Sequence, residues 1–420
     1  MKVAIAGYGL EGRANLEYFR VKFPEAKMVV FDEKAKLDGV PAGIETVLGA
    51  GAFDKIQDFD LVVRTAGLAP RKIAQNNKHW SSTCEFFAEC PAPIIGVTGT
   101  KGKGSVATMI TEILQAHFAN SGRKAHLLGN IGTPALDILS RIKPDDTVVY
   151  ELSSFQLWDL EKSPHVAVVL KIEPDHLDTH TDFADYIAAK SNITRWQNAT
   201  DTVVYCEQNI YSKQIAELSP GKKIPYPAGI SLDFNLNVPG EHNRENAKTA
   251  IATVHAMLPE ISAATIEKGL TNFHGLPHRL KFVREINGVK FYDDSTATTP
   301  GSTIAAVKSF SKPIILIVGG YDKGADYSLL GEVIKQSTVR QIFAIGANRE
   351  KVAQQISTKA RTPIRQLDNQ KMSEIVQIIN QATEPGDMVI LSPAAASFDM
   401  FKNIYDRGDQ FIAAVEDLPA

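Results

Sequence analysis

Between Ile94 and Ser105 the chain reads Ile-Ile-Gly-Val-Thr-Gly-Thr-Lys-Gly-Lys-Gly-Ser, an apolar run that breaks into glycines and lysines. Such a loop lets backbone N–H groups close around phosphates, while a lysine follows the charge of the phosphoryl group in transfer. Three glycines beside a lysine at a helix start cost stability unless a ligand uses them. Gly99, Thr100, Lys101, Gly102, Lys103, Gly104 and Ser105 are therefore candidate ATP contacts, with the helix expected from about Val106. Two features depart from the usual phosphate loop. Its first glycine is displaced, and Gly104 stands where a hydroxyl normally meets Mg²⁺, leaving Ser105 as the nearest substitute.

A second glycine cluster, Gly7-Tyr-Gly-Leu-Glu-Gly12, follows the apolar run Lys2–Ala6, and Asp32 lies twenty residues beyond it. That spacing matches the dinucleotide fingerprint, in which a diphosphate sits at a helix N-terminus. A nicotinamide or flavin cofactor and a tight turn without a ligand both fit these residues, and Glu11 mildly disfavours a bare phosphate. Further along, Glu151 is expected to end a strand and His176 to sit in the loop after another, and a carboxylate, an imidazole and a triphosphate suit Mg²⁺ or Mn²⁺. Both also fit as plain core residues. Read alone, Lys190 is a surface lysine and Asn246 a helix-surface amide.

Short strands must carry these loops. Apolar runs at 28–31, 61–63, 94–97, 148–150, 166–170, 314–318, 342–345 and 388–391 are too short for helices and alternate with stretches of helical spacing, which predicts α/β layers with parallel sheets. The segment from Asn198 to Asn237 has weaker periodicity and is left unassigned. Prolines in Cys90-Pro-Ala-Pro93 and the run Gly275-Leu-Pro-His-Arg279 mark two joints, so three domains are expected at 1–92, 93–276 and 277–420.

The 420 residues exclude a single small module, and 45 Lys plus Arg against 48 Asp plus Glu leave a net charge of −3. No basic field advertises nucleic acid or an anionic membrane. Cys84, Cys90 and Cys206 form no disulfide framework or metal knuckle, so a reducing cytoplasm is expected. The N-terminal run reads as a strand, with no signal peptide or membrane span in view.

Several segments together resemble the Mur ligases: Gly99–Lys103, Gly129-Asn-Ile-Gly-Thr-Pro-Ala-Leu136, Glu151-Leu-Ser-Ser-Phe-Gln156, Pro174-Asp-His-Leu-Asp178, Tyr186–Lys190, Gly240–Asn246, Gly275–Arg279, Asp294-Ser295, Gly319–Gly324 and Leu391–Ser397. The resemblance spans essentially the whole chain. It implies an N-terminal Rossmann-like domain, a central P-loop ATPase-type domain and a C-terminal Rossmann-like domain. It also reassigns the first of these from a redox cofactor to a UDP-sugar, with contacts from Gly9, Leu10, Glu11, Asp32, Gly67, Asn130 and Ser153.

The activity implied is an ATP-dependent ligase that adds glutamate, expected as the D-enantiomer with an L-glutamate-adding variant as the alternative, to UDP-N-acetylmuramoyl-L-alanine through an acyl phosphate. Lys103, Glu151, His176 and Lys190 would be its catalytic residues. Asn246, Arg279 and Asp294 would complete the ATP site. Ser105, Glu151, His176 and Lys190, the last carbamylated by CO₂, would hold the metal. Lys323, Ser397, Phe398 and Thr298 would hold glutamate. The resemblance also implies a cytoplasmic enzyme of cell-wall precursor synthesis, and a monomer is expected. Three positions depart from the family pattern: Thr296 replaces a lysine, Ile404 an aromatic, and Thr65-Ala-Gly-Leu68 the usual Ser-Pro-Gly-Ile. The first two are what keeps the L-glutamate-adding variant as an alternative. A folylpolyglutamate synthase-like ligase shares the phosphate loop but lacks the first domain and Gly129-Asn-Ile-Gly. A nicotinamide-dependent oxidoreductase leaves the loop and metal pair unexplained, and a regulator without catalysis leaves Lys103, Glu151, His176 and Lys190 without a role.

Overall fold

Every apolar run singled out above lies in, or almost wholly in, a strand, and most are shielded on both faces, as parallel sheets require. The computed structural model describes residues 1–73, 78–129, 134–368 and 370–419, with the strands in three sheets. Across the first run Glu45–Leu48, Lys27–Asp32, Lys2–Ala6, Leu61–Arg64 and His79–Ser81, all parallel. Across the second run Lys222–Tyr226, Thr202–Cys206, Val166–Val169, Ile94–Thr98, Thr147–Glu151 and Ala125–Leu128, again all parallel. Across the third run Lys281–Ile286, Val289–Asp293, Met388–Leu391, Ile314–Gly319, Val339–Ile345 and Ile364–Gln366. Its first pair is a hairpin and is antiparallel; the others are parallel.

Two compact units divide the chain: Met1–Phe234 with Glu245–Leu270, and Asn235–Arg244 with Thr271–Ala420. The first carries two sheets. One continuous core joins them, running from Val3, Ile5 and Leu16 through Phe86 and Phe87 to Tyr150 and Val169. Phe86 meets the Tyr150 ring edge-on at 5.4 Å and Phe87 stacks on it at 6.0 Å, so aromatic packing adds directional contact to apolar burial. The second unit packs helices on both faces of its sheet, with Ile315, Ile317 and Phe343 in one core and Leu316, Val318 and Ile342 in the other.

Two sequence expectations change. The helix after the phosphate loop begins at Lys103 rather than near Val106, because Gly102 adopts a φ of +86° and closes the turn in one step. The unassigned segment contains the strand Thr202–Cys206, the helix Ile210–Glu217 and the strand Lys222–Tyr226. The last is an edge strand in which Pro225 and two lysines are tolerated, so its sequence lacks the apolar signature of an interior strand. Among the described residues no helix is long and apolar enough to cross a membrane.

Candidate active site

The strand Ile94–Thr98 pairs with Thr147–Glu151 on one side and Val166–Val169 on the other. Chain order reverses at this point, and in open parallel sheets ligands settle in the crevice at the C-terminal ends of such strands. Three loops meet there: Gly99–Gly102 after the first strand, Glu151–Ser153 after the second, and the segment through His176 after the third. Gly99 and Gly102 both have positive φ; a Cβ on Gly99 would stand 2.5 Å from Leu170 Cβ, and one on Gly102 2.9 Å from Asn246 Oδ1. Asn246 thus lies against the loop it was expected to serve. Backbone N–H groups of the first helical turn, at residues 103–105, open the helix whose dipole favours an anion.

Lys103 Nζ donates to the carbonyls of Gly99 at 3.1 Å and Thr100 at 3.0 Å. Lys190, on the helix Phe183–Arg195, donates to the same Gly99 oxygen at 3.0 Å and to Thr98 Oγ1 at 3.3 Å. Two lysine amines therefore share one acceptor. Lys190 is 1% exposed, and burial first, then the neighbouring Lys103, push its pKa well below the usual lysine value despite opposing pulls from Asp175 and Glu151. Its amine also lies 4.6 Å from the Tyr186 ring centroid. Burial of this kind favours the unprotonated amine over the cation of an ordinary surface lysine. On this point the residue differs from its reading in isolation.

Glu151 closes its strand and is buried. Gly129 packs so closely that a Cβ there would stand 2.5 Å from Glu151 Cβ, which accounts for the glycine before Asn130. Asn130 itself lies outside the described residues. His176 is half-exposed at a φ of +54°, stacked edge-on against Phe155 at 5.0 Å and 3.7 Å from Asp175. Among the described residues no three His, Cys, Asp or Glu side chains gather as a metal cluster. The expected ligands supply one carboxylate and one imidazole, with Ser105 half-buried in the first helical turn. An unmodified lysine adds no metal ligand. Conversion of Lys190 to a carbamate would add the missing carboxylate.

In the first sheet the same switch-point logic brings Gly7–Gly12 beside the turn Thr65–Leu68. A Cβ on Gly12 would stand 2.1 Å from Gly7 O. Glu11 accepts from the backbone N–H of Ala66 at 2.8 Å and from Ser82, and Asp32 accepts from the N–H groups of Tyr8 at 2.8 Å and Lys34 at 2.9 Å. These carboxylates shape the turns. Gly9 and Gly67 face open space and Leu10 is exposed, leaving a surface free for a ligand. The Ser153 hydroxyl caps the short helix Ser154–Leu157.

In the second unit Gly319 and Leu391 end neighbouring strands, and their loops join through a bridge between Tyr321 and Ala396. Ser397 is fully buried and its Oγ has no hydrogen-bond partner among the described residues; such a hydroxyl is costly unless a ligand completes it. Lys323 is exposed, its amine 5.5 Å from the centroid of the Phe398 ring. Thr298 is partly buried and Arg279 exposed. Asp294 is buried and accepts from Leu280 N–H at 3.1 Å and Ser392 Oγ at 2.7 Å; burial pushes its carboxyl up to about 7, against these two donors.

Four residues escaped the sequence reading. Arg407, fully buried, supports the Ser397 turn by donating to the carbonyls of Ala395, Ala396 and Ser295. His180 links Asp185 at 3.1 Å to Ser154 Oγ at 3.0 Å, so the loop that carries His176 is tied to the helix after Glu151. Arg64 and Asp159 pair in the first unit. Apart from Asp185, five positions from His180, their side-chain partners lie far off in sequence; an arginine at the end of an apolar strand was the one available signal.

Family profiles described as "Mur ligase middle domain" and "Mur ligase, glutamate ligase domain" match residues 97–227 and 278–395. The chain is 35% identical to the UDP-N-acetylmuramoylalanine--D-glutamate ligase of Acetivibrio thermocellus, covering 100% of this chain and 97% of that protein. It is 32% identical to the protein of the same name from Clostridium perfringens, covering 99% and 96%. Among solved structures, the UDP-N-acetylmuramate-alanine ligase MurC of Thermotoga maritima superposes with a TM-score of 0.62 at 16% identity, covering 99% of both chains. A Mycobacterium tuberculosis folylpolyglutamate synthase, complexed with ADP and AMPPCP, gives 0.58 at 15% identity and covers 79% of this chain and 94% of its own. Both show likeness of fold.

Proposed function

Because the chain belongs to the Mur ligase family, we propose that it adds D-glutamate to UDP-N-acetylmuramoyl-L-alanine, forming an amide at the expense of ATP. The observation that carries this is the full-length likeness to D-glutamate ligases. Its central site also brings Lys103 and Lys190 to one carbonyl beside the phosphate loop. Division of labour follows the three sheets. Residues 1–92 hold the UDP-sugar, 93–276 bind ATP and 277–420 present glutamate.

Residues 99–105 would receive the triphosphate through backbone N–H groups and Lys103, with Asn246, Arg279 and Asp294 as further nucleotide contacts. Gly9, Leu10, Glu11, Asp32, Gly67, Asn130 and Ser153 would line the UDP-sugar site. The substrate's alanyl carboxylate attacks the γ-phosphorus; the bond to ADP breaks and an acyl phosphate forms. Glutamate's amine then attacks the acyl carbon and phosphate leaves. Lys103 neutralises charge that grows during transfer, a preorganised contact typically worth ~3 kcal/mol.

The Lys190 amine, shifted by burial toward its unprotonated form, would attack CO₂ and lose a proton to become a carbamate. With Glu151, His176 and Ser105 it would hold Mg²⁺ or Mn²⁺, which when bound supplies positive charge to the phosphates. Lys323 and Ser397 would take the two carboxylates of glutamate, beside Phe398 and Thr298. The unpartnered Ser397 hydroxyl supports this. We place the enzyme in the cytoplasm as a monomer.

The test is phosphate release with ATP and Mg²⁺ while the acceptor is UDP-N-acetylmuramoyl-L-alanine or a folate and the donor D- or L-glutamate. Turnover is expected only with the UDP-sugar and D-glutamate. Turnover with folate or a preference for L-glutamate would overturn the assignment.

A further inference from the structure

Arg64 ends a strand of the first sheet and is completely buried. A buried guanidinium is destabilising unless its donors are used, and here they are all used. Nε and Nη2 donate to the two Asp159 carboxylate oxygens at 2.7 and 2.5 Å, and Nη2 also donates to Phe155 O at 2.9 Å. Nη1 donates to the carbonyls of Thr65, Ala66 and Leu68 at 3.2, 3.5 and 3.2 Å. One side chain thus grips two pieces of backbone from opposite sides. One is the turn Thr65–Leu68, whose Ala66 N–H meets Glu11 from the first glycine loop. The other is the segment Phe155–Asp159, which starts four residues after Glu151 and includes most of the helix Ser154–Leu157. Cys84 Sγ lies 3.5 Å from Asp159 O and adds a contact to the same seam.

We propose that Arg64, through Asp159, is a positioning residue that sets the spacing between the UDP-sugar site and the phosphoryl-transfer site. This rests on the function proposed above. The acceptor is held at its uridine end by the first sheet and reacts at its far carboxylate beside the second, so an error in spacing reaches the reacting atoms undiminished. Misplacement by about 1 Å can cost a hundredfold in rate. Only a planar, forked cation can bond a carboxylate and a turn at once; lysine offers a point charge. Binding of either nucleotide alone needs only its own half-site, whereas ligation needs both in register.

Asp159→Asn keeps one acceptor for Arg64 but removes the ion pair, and Arg64→Lys keeps the charge but removes the fork. For each, ATP-analogue and UDP dissociation constants, melting temperature, and kcat per titrated ATP site are measured. In each, both dissociation constants are expected within threefold of wild type, while kcat per site falls about tenfold or more. An Asp159→Glu variant, which retains the bidentate acceptor, is expected to recover most of the rate lost in Asp159→Asn. Wild-type kcat per site in either folded variant overturns the proposal, as does a fall in UDP or ATP binding that matches the fall in kcat. Should a single variant fail to fold, Arg64→Lys combined with Asp159→Glu decides by the same criteria. Inactive wild-type enzyme with UDP-N-acetylmuramoyl-L-alanine and D-glutamate would instead sink the functional assignment, which separates the two failures.

Discussion

At the residue scale the proposed central site turns on one buried amine. Lys190 shares the Gly99 carbonyl with Lys103, and burial lowers its pKa in the direction the proposed carbamylation requires, because only the unprotonated form attacks CO₂. Lys190→Ala should reduce phosphate release to background, and added short carboxylates should restore part of it by occupying the place of the proposed carbamate. Full activity without rescue would remove Lys190 from the site. Asp294 behaves oppositely. Its carboxyl is raised from an unfolded value near 3.8 to about 7, so the folded state holds the proton more tightly. That stabilisation is fully present below the unfolded pKa and is lost as pH rises through the folded one. Linkage caps the loss at about 4 kcal/mol. Melting temperatures of wild type and Asp294→Asn between pH 5 and 8 should therefore diverge in favour of the variant as pH rises; parallel curves would show that Asp294 ionises normally.

At the element scale, the proposed phosphate loop needs a strand to end and a helix to begin within a few residues. Gly102 makes that possible at a φ of +86°. Gly102→Ala should strain the turn by ~1–2 kcal/mol and push Asn246, whose Oδ1 would stand 2.9 Å from the new Cβ. A rise of several-fold in KM for ATP, with KM for the UDP-sugar unchanged, is the expected result in steady-state kinetics; equal rises in both would show a global disturbance. This element was legible in the sequence because glycine carries a local conformational meaning. So were the interior strands at 94–97, 166–170 and 314–318, whose burial on both faces demands unbroken apolar runs. The edge strand Lys222–Tyr226 was not, since one side of its ladder faces outward and charges are tolerated. Nor was the exact helix start, which depends on a backbone angle.

At the scale of the whole molecule, what the sequence concealed is long-range pairing. Arg64 and Asp159 lie 95 positions apart, Ser154 and His180 26 apart, and Arg407 meets Ser295 across 112; in each case neither residue announces its partner. These links lie within the compact units rather than at random, which has a thermodynamic consequence. The proposed UDP site draws all its described residues from the first unit, and the proposed Lys323 and Ser397 contacts belong to the second. A ligand that binds the native form stabilises by RT ln(1 + [L]/Kd), about 2.7 kcal/mol at a hundredfold excess over Kd. It acts only on the cooperative unit that holds its site, and chains of several units depart from two-state unfolding. Scanning calorimetry should resolve two transitions, with saturating UDP raising one and leaving the other in place. Arg64→Lys should lower the same transition that UDP raises, because the guanidinium lies inside that unit's core. If UDP moves both transitions equally, or Arg64→Lys weakens the one UDP leaves alone, the two units do not unfold independently and the UDP site is not confined to the first.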